Sequence, residues 1–164
     1  MITHGARFPT LSICSIAGDK KEVVITDSLL LNKKVILFAV PGAFTPTCSA
    51  THVPGFITLW PEFKAHNIDS LICLSVNDPF VMSAWARTLK APDSLIFLAD
   101  GNAELTQILG ASFDGSAHGL GIRAIRFAMV IDNGIVETIF TEDTPGVCTL
   151  TSASALLEFL KPHN

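Results

Sequence analysis

Three short apolar runs stand out along the chain, at residues 35–40, 71–76 and 95–99. Runs of this length with little polar alternation are typical of strands buried on both faces of a sheet. Each run is followed by a segment with helical spacing of its apolar residues, at residues 47–66, 80–90 and 102–109. We expect the first helix to be interrupted near Pro54-Gly55, because proline removes a backbone donor and its ring clashes with the preceding turn.

Strand pairs flank this alternating core. Residues 11–17 and 22–26 are joined by a short polar turn and predict an N-terminal hairpin. Residues 123–131 and 135–141 flank Asp132-Asn133-Gly134, which is a strong hairpin signal. We therefore expect antiparallel strands near both ends of the chain.

The remaining segments complete a single α/β domain over residues 1–164. The glycine-rich segment 112–121 predicts a mobile loop, and residues 151–160 predict a terminal helix with an apolar face. Strands that alternate with helices place parallel strands in the middle of a mixed sheet, an antiparallel pair at its edge and helices on both faces.

Composition excludes several classes of function. The chain carries 11 basic and 15 acidic residues, a net charge of −4, and no Lys/Arg run that could neutralise nucleic-acid phosphates. Its longest apolar run is too short to cross a bilayer, and its first residues lack an export signal, so we expect a cytoplasmic protein that does not bind membranes. Its four cysteines include no Cys-x-x-Cys pair and its histidines lack metal-ligand spacing. We therefore predict no metal and no cofactor.

Candidate chemistry concentrates in residues 41–48, between a buried strand and a helix. Sites in α/β sheets gather beyond the carboxyl ends of strands. If Thr45 is the N-cap and Pro46 the first helical residue, Cys48 lies in the first turn. The partial positive charge of that helix end favours the thiolate, which is the reactive nucleophile. The alternative is that Cys48 is a small buried apolar residue.

The spacing Pro41-x-x-x-Thr45-x-x-Cys48 resembles the Pro-x-x-x-Thr-x-x-Cys motif of peroxiredoxins, thiol peroxidases with a thioredoxin-like fold. Three further strings resemble the type II, atypical two-cysteine subgroup: His52-Val-Pro-Gly-Phe56, Leu74-Ser-Val-Asn-Asp78 and Arg126-Phe127. The resemblance runs from about residue 8 to residue 160. It implies a thioredoxin-like three-layer sandwich. It also implies an enzyme that reduces hydrogen peroxide and alkyl hydroperoxides through a sulfenic acid at Cys48.

The resemblance also implies roles for three other residues. The Thr45 hydroxyl and the Arg126 guanidinium would donate to the charge that develops on the departing oxygen, and Pro41 would shield the sulfenate from water. Strand alternation places Arg126 on the face of Ala128 and opposite Phe127. Arg123 has the other parity, so we expect it to have a supporting or surface role.

Two aromatic side chains accompany this site. His52 lies four residues after Cys48, on the same side of a regular helix. A thiolate–imidazolium pair is one interpretation of that spacing. We favour the other, a hydrogen-bonded packing histidine, because peroxiredoxins are not thought to need a histidine base. Trp85 is expected in the core, and it resembles an aromatic residue that the family packs near its active site.

A second thiol must resolve the sulfenic acid, or the sulfur over-oxidises. Cys148 resembles the resolving cysteine of animal-type members, whereas Cys73 matches the position used in plant-type members. We favour Cys148, because Cys73 lies within a predicted strand and a bridge needs a Cα separation below about 7 Å. Cys14 is expected to pack in the N-terminal strand.

The resemblance implies partners as well. Thioredoxin, or glutathione with glutaredoxin, would supply electrons, and glutathione or glutaredoxin could also resolve Cys48 directly. The family forms dimers, so we expect a homodimer through the helix start at Pro79-Phe80 and the Cys48 loop. The competing hypothesis is a non-catalytic redox sensor or binding module that kept one reactive thiol.

Overall fold

A computed structural model describes residues 1–163 and contains a seven-stranded sheet with the order β2-β1-β5-β4-β3-β8-β9. The strands of that sheet are β1 (Ser12–Ala17), β2 (Lys20–Ile25), β3 (Lys34–Val40), β4 (Ser70–Ser75), β5 (Leu95–Ala99), β8 (Phe127–Asp132) and β9 (Ile135–Thr141). A separate two-stranded ribbon consists of β6 (Ser112–Asp114) and β7 (Ile122–Ala124). The α-helices are α1 (Thr26–Leu30), α2 (Val53–Thr58), α3 (Trp60–Ala65), α4 (Pro79–Thr88), α5 (Glu104–Ile108) and α6 (Ala153–Leu160).

The three apolar runs form the middle of the sheet, as predicted. Strands β3, β4 and β5 pair in parallel, and β8 and β9 form an antiparallel pair at one edge. The N-terminal hairpin joins the other side through β1, which pairs antiparallel with β5. The run in β3 lacks polar alternation because both faces of that strand are buried.

Helices cover both faces of the sheet and enclose two apolar cores. One core lies between the sheet and helices α2, α3, α4 and α6, and it contains Phe38, Phe56 and Trp85. The other lies under α1 and α5 and contains Leu37 and Met129. The first core also holds Cys48, so the candidate site lies on the face with four helices. Among the described residues, no helix is long and apolar enough to span a membrane.

The first residues of the chain lie along the edge strand β9. The Gly5 N–H donates to the Val136 carbonyl at 2.8 Å, and the Phe8 N–H donates to the Gly134 carbonyl at 2.8 Å. The Val136 N–H in turn donates to the Ala6 carbonyl at 2.9 Å. Phe8 is buried in the second core, so this segment is anchored by both packing and hydrogen bonds.

The predicted helix 47–66 is interrupted elsewhere than expected. Its helical residues begin at Pro46 and pass through Pro54-Gly55, and the interruption comes at Leu59. Residues Cys48–His52 form a π-helical turn, in which the Val53 N–H donates to the Cys48 carbonyl five residues back. This wider turn shifts the hydrogen-bond ladder immediately before Pro54 and accommodates the proline without ending the helix.

Three other predictions need correction. Segment 112–121, predicted as a mobile loop, carries regular structure: it contains β6, which pairs with β7, and a short 3₁₀ turn, Ser116–His118. The strand predicted over 123–131 is divided at Ile125 and Arg126 between β7 and β8. Helix α1 was missed, because its five residues are too few to establish a helical period.

Candidate active site

The segment that follows β3 carries Cys48 into the first turn of a helix, as the sequence predicts. Thr45 precedes the first helical residue, Pro46, and the first intrahelical hydrogen bond runs from the Ser49 N–H to the Thr45 carbonyl at 3.0 Å. The Cys48 N–H therefore precedes the ladder of the helix. The Thr45 hydroxyl donates to the Gly42 carbonyl at 2.7 Å, and among the described residues no N–H of the first helical turn donates to it, so it does not cap the helix.

The Arg126 guanidinium is the centre of the site. Its Nη2 donates to the Cys48 sulfur at 3.1 Å, and its Nη1 donates to His52 Nδ1 at 2.7 Å. The Pro145 carbonyl accepts from Nε at 3.2 Å and from Nη2 at 2.9 Å. Arg126 is 2% exposed, and among the described residues it forms no ion pair with a carboxylate. Its positive charge is therefore available to the sulfur.

Arg126 reaches the sulfur because of its place at the start of β8. It directly precedes Phe127, which packs in the second core, and it lies on the face of Ala128, which packs in the same core as Cys48. The predicted parity is confirmed. The π-helical turn brings both Cys48 and His52 to the same guanidinium, although the turn is not a regular α-helical one.

His52 is buried and neutral. Burial first, and then the neighbouring Arg126 charge, lower its pKa from 6.5 to about 3, against the opposing effect of its hydrogen bond to Thr151. Arginine can only donate, so Nδ1 accepts and the ring proton is on Nε2, which donates to the Thr151 carbonyl at 2.9 Å. The imidazolium needed for a thiolate–imidazolium pair is therefore not formed at neutral pH.

Residues 142–152 form a segment that closes over the arginine. Glu142 Oε1 accepts hydrogen bonds from the Thr149 N–H at 2.6 Å, the Thr151 N–H at 2.9 Å and the Thr151 hydroxyl at 3.0 Å. Burial opposes ionisation of this carboxyl, but the hydrogen bonds from Thr151 and Thr149 outweigh it and lower its pKa. The Thr47 hydroxyl donates to the Gly146 carbonyl at 3.0 Å, which ties the segment to the Cys48 helix.

Pro41 and Arg123 contact each other on the other side of the site. Pro41 is buried, and its carbonyl accepts from Arg123 Nη1 at 3.4 Å. Arg123 is half-buried, and its Nε donates to the Leu120 carbonyl at 2.8 Å. A Cβ on Gly42 would lie 2.7 Å from Arg123 Nη1, so glycine permits this close approach. The geometry agrees with a supporting role for Arg123.

All four cysteines are free thiols. Cys73 is fully buried in the middle of β4, between Phe38 of β3 and Phe97 of β5. Burial and then the nearby Cys48 raise the pKa of the Cys73 thiol well above its ordinary value. Cys148 is half-buried in segment 142–152, where burial raises its pKa and the Arg126 charge opposes that rise.

Trp85 lies in the core beside the Cys48 helix, as expected. It is fully buried, and its indole Nε1 donates to the Ser49 hydroxyl at 2.9 Å. Phe44 lies against it with ring centroids 6.5 Å apart. Residues 1–163 contain no cluster of three His, Cys, Asp or Glu side chains that could hold a metal ion.

Two contacts to the arginine were not predicted from sequence: those of His52 and Pro145. Each joins residues far apart in the chain; His52 and Arg126 are separated by 74 positions. The i+4 spacing from Cys48 was the only signal for His52, and it did not indicate a partner. The place of Arg126 in a largely apolar segment was the only sequence signal that its guanidinium needs partners, and it did not show which groups they are.

The chain is similar to known peroxiredoxins over most of its length. The family profile described as Redoxin matches residues 3–157. Peroxiredoxin-2D of Arabidopsis thaliana is 48% identical over 143 residues, which cover 87% of this chain and 88% of that protein. Reduced Prx3 from Vibrio vulnificus, in complex with H2O2, is 40% identical with a TM-score of 0.90, covering 98% of this chain and 100% of that chain. Oxidized Prx3 from the same organism is 40% identical with a TM-score of 0.85, covering 97% and 99%.

These similarities agree with the motif and with the architecture. The structural match confirms the predicted thioredoxin-like sandwich, and the relatives confirm the resemblance seen in the Cys48 motif. The chain belongs to the Redoxin family as a peroxiredoxin, a thiol-dependent peroxidase of antioxidant defence.

Proposed function

We propose that Cys48 is the peroxidatic nucleophile. The observation that carries this assignment is the 3.1 Å contact between Arg126 Nη2 and the Cys48 sulfur inside a buried site. The guanidinium stabilises the thiolate, whose electron pair forms an S–O bond to one peroxide oxygen while the O–O bond breaks. The departing oxygen takes up the peroxide proton and leaves as water or an alcohol, and the sulfur is oxidised to a sulfenate.

Arg126, Thr45 and Pro41 assist this step in different ways. Arg126 donates to the sulfur and, when peroxide is bound, to the departing oxygen. The Thr45 hydroxyl already donates to the Gly42 carbonyl, which leaves its oxygen lone pairs free to accept the peroxide O–H. This role differs from the donor role expected from the sequence. Pro41 is buried at the start of the loop 41–45, and it limits the access of water to the Cys48 sulfur.

The substrate class follows from the burial of the sulfur. Cys48 is 0% exposed, so a small hydroperoxide can approach it more readily than a large thiol can. The reduced Prx3 of Vibrio vulnificus is in complex with H2O2, and small alkyl hydroperoxides have the same O–OH group. We therefore propose hydrogen peroxide and small alkyl hydroperoxides as substrates.

Substitution of the nucleophile tests the assignment. We expect Cys48→Ser to abolish peroxide turnover, and Cys14→Ser, a matched change at a half-buried cysteine of β1, to leave it intact. Stopped-flow oxidation separates an enzyme from the competing sensor hypothesis, since a sensor needs no acceleration over free cysteine. Full activity in Cys48→Ser, or a wild-type rate equal to that of free cysteine, would overturn the proposal.

We propose that Cys148 resolves the sulfenic acid. Its thiol would condense with the sulfenic acid, forming an S–S bond and releasing water, and an external dithiol would then reduce the disulfide. The half-buried position of Cys148 in a non-helical segment supports this choice. The similarity to a plant relative favours Cys73 instead, but Cys73 is enclosed by its neighbouring strands and could reach Cys48 only if β4 separated from them.

Mass spectrometry of the peroxide-treated protein decides between these thiols. We expect a peptide pair linked through Cys48 and Cys148, and Cys148→Ser should leave Cys48 as sulfenic acid or joined to an added thiol. A Cys48–Cys73 pair would refute the assignment, and an adduct with glutathione alone would assign resolution to an external thiol. Turnover assays with thioredoxin and with glutathione plus glutaredoxin identify the reductant.

We further propose that the protein forms a homodimer and acts in the cytoplasm. Phe80 is 74% exposed at the start of α4 and Phe44 is 52% exposed beside Cys48, so an apolar surface is available for a second copy. Sedimentation of Phe80→Asp against wild type tests this, with a monomer expected for the variant. Four cysteines without a Cys-x-x-Cys pair suit a reducing compartment, where thiols are kept for reactivity or packing, and microscopy of a tagged protein tests the location.

A further inference from the structure

The Arg126 guanidinium is held in place entirely by neutral acceptors. Apart from the sulfur, its protein partners are the Pro145 carbonyl and the His52 imidazole. A carboxylate in either position would fix the guanidinium equally well, but it would form an ion pair and cancel much of the charge that the thiolate and the departing oxygen require. A neutral ring nitrogen fixes the direction of Nη1 without that loss.

His52 is itself fixed in a single orientation and tautomer. Its ring packs against Phe38, with centroids 5.1 Å apart, and against Phe56, with centroids 5.6 Å apart. Its Nε2–H donates to the Thr151 carbonyl, and Glu142 holds the N–H and hydroxyl of Thr151. The low pKa of His52, caused by burial and by Arg126, keeps Nδ1 unprotonated at neutral pH. The acceptor therefore faces Arg126 permanently.

We propose that His52 is a positioning residue: its Nδ1 aims the Arg126 guanidinium at the peroxide oxygen that departs when the Cys48 sulfur breaks the O–O bond, and as a neutral acceptor it forms no ion pair with the arginine. His52 does not touch the substrate and transfers no proton. This inference rests on the proposed role of Cys48 and Arg126, and it gives His52 a function that neither a catalytic base nor a packing residue would have.

A ratio of two rate constants isolates the aiming effect. Oxidation by hydrogen peroxide needs both the thiolate and a correctly placed arginine. Alkylation by chloroacetamide also needs the thiolate, but no peroxide oxygen departs, so it does not depend on where the arginine points. The thiolate fraction enters both rate constants and cancels in the peroxide-to-chloroacetamide ratio. A loss of stability or of thiolate alone would leave that ratio unchanged, so the ratio responds to the position of the guanidinium.

We expect His52→Leu to lower the ratio by about 10²-fold, the cost of a small misplacement of a catalytic group. His52→Asn should recover most of the ratio, because its side-chain oxygen occupies nearly the position of Nδ1 and accepts from Arg126. His52→Gln should stay low, because it reaches the Thr151 carbonyl and offers no acceptor to Arg126. Phe63→Leu, a buried change in the same core, is the control for destabilisation and should leave the ratio unchanged.

A double-mutant cycle tests whether His52 acts through Arg126. If it does, adding His52→Leu to Arg126→Gln should lower the ratio no further. A further loss, an unchanged ratio in a folded His52→Leu protein, or rescue by Gln in place of Asn would overturn the inference. The Asn and Gln variants decide the matter by themselves if His52→Leu does not fold. A wild-type rate equal to that of free cysteine would instead refute the proposed function.

Discussion

Removal of the Glu142 carboxylate should destabilise the segment that closes over Arg126. One carboxylate oxygen accepts from the Thr149 N–H and from both donors of Thr151. Thr151 is 0% exposed, so in Glu142→Ala its N–H and hydroxyl lose a partner that water does not readily replace. Each unsatisfied buried donor costs about 1–3 kcal/mol, so for these two donors we expect a total loss of about 2–6 kcal/mol in the free energy of unfolding.

Urea unfolding followed by far-UV circular dichroism measures this loss as a lower midpoint at unchanged slope. Asp143→Ala, at the exposed neighbouring carboxylate, is the matched control and should change the free energy by less than about 0.5 kcal/mol. The pKa of Glu142 is lowered in the folded state, so its stabilisation is present above its ordinary value of 4.5 and is lost as the pH falls through the folded value. Equal midpoints for wild type and Glu142→Ala at pH 7 would refute this reasoning.

Three further predictions concern the buried site. The folded-state pKa of His52, about 3, lies below its ordinary value of 6.5, so the protein loses stability as the pH falls below 6.5. Because of this group, the free energy of unfolding should be lower at pH 5 than at pH 7 by about 2 kcal/mol. Urea unfolding at the two pH values measures this difference, which should disappear in His52→Asn. Phe38→Ala should cost about 3–5 kcal/mol in urea unfolding, because Phe38 is fully buried and stacks on Phe56 at 4.0 Å; a loss below about 1 kcal/mol would contradict the packing. Cys73 should resist alkylation at pH 8 until denaturant is added, because burial raises its pKa and excludes reagent; peptide mapping of the native protein checks this, and rapid labelling would show that β4 opens.

The sequence was most informative where local chemistry decides the structure. The apolar run of β3 predicted a central strand because both its faces are buried, and Pro46 marked the first helical residue because its missing donor is harmless there. The parity of Arg126 followed from simple strand alternation. Each of these predictions depends on neighbouring residues alone, and each is confirmed.

The predictions that failed depend on contacts between distant residues. Pro54 was expected to interrupt the helix, but the π-helical turn before it accommodates the ring. The glycines of segment 112–121 concealed the ribbon that β6 forms with β7. The partner of His52 could not be inferred, because Arg126 lies 74 positions away in the chain, immediately before β8. Positions of this kind carry no local pattern, since their residue type is set by what the fold brings next to them.

The N-terminal segment has a consequence for the behaviour of the whole molecule. Gly5, Ala6 and Phe8 occupy backbone groups of residues 134–136 that an edge strand would otherwise present to solvent. An uncovered row of such groups is a template for pairing with another chain. Deletion of the first ten residues would therefore do more than remove the packing of Phe8. It would expose unpaired backbone N–H and C=O groups along one edge of the sheet, and molecules would aggregate by pairing through these edges.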